Sequence, residues 1–83
     1  MNRFTFILTD KFDGKKIIFS DDVRGADFVS AIKKKNHDIQ KFVMFGDADI
    51  DIEDSMTGEV VASGTVGCNI FSGTVEIRLP VAS

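Results

Sequence analysis

Asp47-Ala48-Asp49-Ile50-Asp51-Ile52-Glu53-Asp54 alternates acidic and apolar residues with a period of two. That period matches the pleat of a β-strand, whose successive side chains point to opposite faces, and not the 3.6-residue period of a helix. The stretch therefore predicts a strand that buries Ala48, Ile50 and Ile52. Its wet face carries Asp47, Asp49, Asp51 and Glu53 in a row, with Asp54 at its end.

The chain around it has 83 residues, 43% of them apolar and 28% charged, which is the composition of a folded domain rather than a disordered segment. A chain this short makes one domain with a thin core. Its aromatic content is eight Phe with no Trp or Tyr; rings without a polar handle are expected to be mostly core. The net charge of −3 hides an asymmetry. Residues 1–41 hold nine Lys/Arg against six Asp/Glu, whereas residues 42–83 hold Arg78 alone against seven acids. Such a split speaks to partners and steering rather than to fold.

Upstream, Asp13-Gly14 separates Arg3–Phe12 from Lys15–Ser20 and signals a two-residue hairpin turn. That turn pairs Leu8 with Phe19 and puts Phe4, Phe6, Leu8, Ile17 and Phe19 on one face. The other face carries Thr5, Ile7, Thr9, Lys11, Lys16 and Ile18. Ser20-Asp21-Asp22 offers N-cap residues for a helix over 22–35, with Phe28, Val29 and Ile32 on its apolar stripe. Lys33-Lys34-Lys35 suits the negative end of its dipole, and Asn36 suits a left-handed cap. Ile39 to Phe45 reads as a strand closed by a turn or bulge at Gly46.

Downstream of the acidic strand, Ser55-Met56-Thr57-Gly58 reads as a turn and Glu59 to Ser63 as a return strand. Val66 to Phe71 reads as a further short strand. Ser72-Gly73 closes a last hairpin into Thr74–Leu79, which Pro80 ends. The expectation is a small single α+β domain over 1–83, β-β-α-β-β-β with room for extra short strands. Its sheet is mostly antiparallel, with one helix packed on one face. The opening β-β-α-β order resembles the β-grasp of ubiquitin-like proteins, which implies, as one alternative, an interaction domain of that kind.

Chemistry-bearing motifs are few. Asp47-x-Asp49-x-Asp51 matches the start of an EF-hand loop, but that loop needs Gly at its sixth position and Glu at its twelfth. Ile52 and Gly58 stand there, so no metal site is expected, and Glu53-Asp54 is left as at most a weak cation contact. His37 and Cys68 are each the only residue of their kind. They are expected to be a solvated loop histidine and a structural cysteine, with no disulfide and no metal framework. No Gly-rich phosphate loop is spelled, so the chain is expected to need no cofactor and not to be an enzyme. Lys33, Lys34, Lys35 and Lys41 are too few, and too poor in neighbouring stacking aromatics, for direct nucleic-acid binding. No stretch reads as a signal peptide or a membrane span, which places the expected protein in the cytoplasm, or the host cytoplasm if phage-encoded.

The expected function is a non-enzymatic protein-binding module. Asp47, Asp49, Asp51, Glu53 and Asp54 would contact a basic partner, such as a nucleic-acid-handling enzyme or complex. In size, charge and style the chain is similar to phage and mobile-element anti-defence proteins such as anti-CRISPR inhibitors. The main alternative is a structural protein, dimeric or larger, that self-associates through sheet edges or the half-apolar face around Ile7 and Ile18.

Overall fold

The computed structural model describes residues 1–43, 47–69 and 74–79. The acidic stretch is strand β3 (Asp47–Asp54), the middle strand of a five-stranded sheet. Its neighbours are β1 (Asn2–Asp10) on one side and β4 (Val60–Asn69) on the other. β2 (Lys16–Val23) lies outside β1, and β5 (Thr74–Arg78) lies outside β4. Every pairing is antiparallel. Two short helices, α1 (Phe28–Lys34) and α2 (Asn36–Phe42), connect β2 to β3. The chain is thus an α+β domain with a single antiparallel sheet.

Alternation builds the core. Ala48, Ile50 and Ile52 are fully buried, and they join Phe4, Phe6, Leu8, Ala62, Val66 and Val75 on one face of the sheet. The helices close over that face with Ala31, Ile32 and Ile39, and Val43 follows directly behind α2. Phe28 at the start of α1 sets its ring edge-on to Phe4, with centroids 5.0 Å apart, while Phe6 stacks on Phe19 at 4.9 Å. These offset and edge-on geometries are the preferred ones for aromatic pairs.

The helical region differs from the expectation of one helix over 22–35 followed by a strand. Strand β2 runs on through Ser20, Asp21 and Asp22 to Val23, because the long β1 offers them ladder partners and Val23 is buried opposite Asn2. The helix starts only at Phe28, capped by the Asp27 carboxylate. Asn36 takes no left-handed cap; it opens α2, and the expected strand at 39–45 is replaced by helix as far as Phe42. Ile39 and Val43 are four residues apart and both are buried, which is helical spacing; the apolar run at 42–45 is too short by itself to distinguish helix from strand. With two helices between β2 and β3, the element order departs from the β-β-α-β order on which the likeness to ubiquitin-like domains rests.

The first hairpin loop is wider than the expected two-residue turn, and it is built like the second, which is the expected turn at Ser55-Met56-Thr57-Gly58. In the first, Asp10 N donates to Lys15 O at 2.8 Å, Gly14 N donates to Asp10 O at 3.0 Å, and Phe12 N donates to the Asp10 carboxylate at 2.7 Å. In the second, Asp54 N donates to Glu59 O at 2.9 Å, Gly58 N to Asp54 O at 2.7 Å, and Met56 N to the Asp54 carboxylate at 2.8 Å. Gly14 and Gly58 sit at φ +72° and +73°, a left-handed conformation that favours glycine. The sequence spells this loop twice, as Asp10-Lys-Phe-Asp-Gly14 and Asp54-Ser-Met-Thr-Gly58.

The wider first loop pairs Leu8 with Ile17 instead of Phe19. A two-residue shift preserves the faces, so Phe4, Phe6, Leu8, Ile17 and Phe19 still line one side. Phe12 moves to the loop tip, 94% exposed, against the expectation that the Phe rings are mostly core.

Beyond β3, the two expected strands at 59–63 and 66–71 are one strand, β4, with a bulge opposite Ile52 and Glu53. The turn expected at Gly46, the strand end at 70–71, the Ser72-Gly73 turn and the stop at Pro80 lie outside the described residues. Among the described residues no helix is long and apolar enough to cross a membrane.

Candidate functional site: the open face of the sheet

The helices cover one face of the sheet, and no described residue on the other face is buried. Asp47, Asp49 and Asp51 are exposed at its centre, with half-buried Glu53 in line. Carboxylates two apart on a strand lie about 6.5–7 Å apart. They form a line rather than converging on a point, so their geometry does not suit the closed oxygen cage of a cation site.

The neighbours of this row come from β1 and β4. Thr5, Ile7 and Thr9 face Glu53, Asp51 and Asp49 from one side, and Ser63, Thr65 and Gly67 face Asp51, Asp49 and Asp47 from the other. The Ser63 hydroxyl donates to Asp51 Oδ1 at 2.8 Å. Gly67 leaves room for the Asp47 carboxylate: a Cβ on Gly67 would come within 2.5 Å of Asp47 Oδ1. The row is therefore bordered by hydroxyl groups and one gap, with Ile7 as its apolar neighbour.

Its charge is only partly balanced. Lys11, just beyond β1, lies 3.6 Å from Asp49 Oδ1. Arg78, the one basic residue of the acidic half of the chain, reaches Glu76 on its own strand at 3.4 Å. Register brings Lys11 close: Thr9 pairs with Asp49 and Asp10 with Ala48, so Lys11 leaves β1 one step beyond Ala48 and its long side chain reaches back to Asp49.

Asp54 does not share the row's setting. It sits opposite Phe4, on the helix-covered side by alternation, and its carboxylate holds the Met56 N–H in the loop. The expected contact residues thus divide into a surface row of four and a loop anchor.

The helix lysines sit on the other side of the sheet. Lys34 lies 3.6 Å from Asp21 of β2, and the Lys35 ammonium is 5.9 Å from the centre of the Phe19 ring. Within the chain these cations serve the helix–sheet junction. His37 is exposed on α2, and Cys68 lies in β4 opposite Val75. Lys11, Ser63 and Thr65 are the site residues that sequence reasoning did not single out. Their signal is the alternation of β1 and β4, which becomes legible only once β3 is known to lie between them.

Comparison of the chain with family models, with the curated proteins and with the solved structures gave no match in any of the three.

Proposed function

We propose that this domain is a non-enzymatic binding module whose acidic row, Asp47, Asp49, Asp51 and Glu53, engages a basic protein surface. The observation that supports the reading most is the anchoring of the row in the central strand. Each carboxylate alternates with a fully buried Ala48, Ile50 or Ile52 on the central strand, so the charges are held in register by the core itself. Their spacing is close to the roughly 6–7 Å between successive phosphates of a nucleic-acid strand. A groove lined with Lys and Arg for such a strand is the kind of surface this row complements. The partner is accordingly a nucleic-acid-handling enzyme or complex, occupied and inhibited by the module, in the manner of phage anti-defence proteins.

The test is capture from the native host with immobilised wild type and with the Asp49→Lys/Asp51→Lys double variant, followed by mass spectrometry. Both substitutions fall on the exposed face, so circular dichroism and melting should show a folded variant. The captured partner should be basic, should be lost from the double variant, and should be released by salt. A folded double variant that retains the partner overturns the reading.

A further inference from the structure

We infer that two copies of this chain join through strand β2, antiparallel about a two-fold axis at Phe19, into one continuous ten-stranded sheet. The inference is independent of what the acidic row binds.

The two edges of the sheet are not equivalent. On β5 the N–H of Val75 already donates to the Asn36 side chain of α2 at 3.1 Å, so that edge is capped from within. On β2 the strand borders an open cleft of about 320 Å³ lined by Ile17, Ile18, Phe19, Lys35 and Asp38. Ile18 is 63% exposed, and Ile17 and Phe19 are half-buried. Soluble domains ordinarily blunt such an edge with charge, proline or a bulge. Here the centre of the edge is Ile17-Ile18-Phe19, with charges only toward its ends.

The ladder determines which backbone groups the edge presents. Asp10 N donates to Lys15 O, toward β2, whereas Arg3 O accepts from Ser55 N, toward β3. In an antiparallel pair, successive residues bond alternately to the two sides. Both bonds give the same phase. The backbone of Ile17, Phe19 and Asp21 bonds inward to β1, and that of Lys16, Ile18, Ser20 and Asp22 points out of the sheet, where the Asp22 N–H donates to the Asp21 carboxylate at 2.9 Å and exchanges that contact for the partner strand.

A two-fold axis perpendicular to the sheet must set residues of the same face opposite one another. Centring it at Phe19 pairs Ile18 with Ser20 and Lys16 with Asp22 of the other copy, so that every outward-pointing residue of the strand finds a partner. Shifting the centre to Ile18 or to Ser20 leaves one end of the strand unpaired. The favoured register is also the one that brings opposite charges together, Lys16 against Asp22 on both sides of the axis. Lys16 has no ion-pair partner of its own among the described residues, and Asp22 is 3.5 Å from Arg3 on the same open face. Directly opposite charges on neighbouring strands are favourable, and like charges are not.

Sedimentation equilibrium of wild type, over a dilution series reaching millimolar chain, should give a mass rising to two chains. Lys16→Asp and Asp22→Lys should each stay at one chain. Mixed together, the two variants should form a heterodimer, because each then offers the other the charge it lacks. Native mass spectrometry separates that heterodimer from the parents. The amide protons of Ile18 and Ser20 should exchange more slowly as wild-type concentration rises. A wild type at one-chain mass throughout overturns the inference, as does a dimer indifferent to both reversals. If either variant fails to fold, the exchange of those two amides in wild type decides: no slowing with concentration overturns the inference.

Discussion

The hydroxyl of Ser63 donates a 2.8 Å hydrogen bond to Oδ1 of Asp51, its direct cross-strand partner. A hydrogen bond to a charged acceptor is stronger than a neutral one, but both groups here are exposed and compete with water. Ser63→Ala and Asp51→Ala should each change stability by less than about 1 kcal/mol, with a coupling in the double-mutant cycle of about 0.5–1 kcal/mol. Urea unfolding of the four proteins measures it, and zero coupling means the bond does not hold the carboxylate in solution.

The same strand should divide sharply between its faces. Ile50 is fully buried and Asp49 is exposed. Ile50→Ala removes buried methylene groups and leaves a cavity, costing about 2–5 kcal/mol, whereas Asp49→Ala should stay within about 0.5 kcal/mol. Denaturant midpoints compare the two directly. Similar losses at both positions would contradict the alternation from which the whole fold is argued.

That alternation was legible from the sequence because one strand face is dry and the other wet, and the hairpin faces were legible for the same reason. The exact pairing was not, since a shift of two residues leaves every face unchanged. Ile39 and Val43 lie in a mixed stretch, with Gln40 and Lys41 between them, that is too short for its period to be decisive, and burial against the sheet favours helix. Asp21 and Asp22 looked like helix caps because acids are common there; the length of β1 keeps them in a strand. The repeated Asp-x-x-x-Gly loop was present in the letters, but its meaning lies in backbone bonds that a two-residue turn does not make. Lys11 could not be assigned to Asp49 without knowing that β1 and β3 are neighbours.

The two loops predict that Asp54 acts on folding rather than on binding. Its carboxylate accepts from Met56 N, as that of Asp10 does from Phe12 N. Asp54→Ala and Asp10→Ala should each cost about 0.5–2 kcal/mol, by analogy with the loss of a helix cap. Gly14→Ala and Gly58→Ala should cost about 1 kcal/mol or more, through the positive φ. Thermal melts measure the losses. On the proposed function, a partner captured through the acidic row should bind folded Asp54→Ala as it binds wild type.

Two glycines of β4 should respond differently to the same added methyl group. At Gly64 the Arg78 carbonyl occupies the space a Cβ would need, and Leu79 stands close behind it. Backbone cannot swing away, so Gly64→Ala should displace the end of β5 and cost about 1–3 kcal/mol, the usual range for overpacking. At Gly67 the obstacle is the Asp47 carboxylate, the movable end of an exposed side chain. Gly67→Ala should therefore be the milder change, with Asp47 taking another rotamer. Unfolding midpoints that rank Gly67→Ala as the worse variant would show that Arg78 can give way at Gly64 and that the β4–β5 approach is loose.

Lys11 is the one cation within ion-pair distance of the row among the described residues, 3.6 Å from Asp49. Neighbouring carboxylates about 7 Å apart repel by roughly 0.6 kcal/mol per pair at the dielectric of water, and Lys11 offsets part of that. Lys11→Gln should lower stability by about 0.2–1 kcal/mol at low ionic strength, the range of an exposed pair. At 1 M salt the screening length falls to about 3 Å, shorter than any of these separations, and the difference from wild type should vanish. Urea unfolding at low and high salt gives both values. The same substitution leaves the row more negative, so association with a basic partner should be faster than for wild type at low salt and equal to it at high salt. A Lys11→Gln protein that is destabilised equally at both ionic strengths would mean that Lys11 acts through packing of its stem in the Asp10 loop and not through its charge.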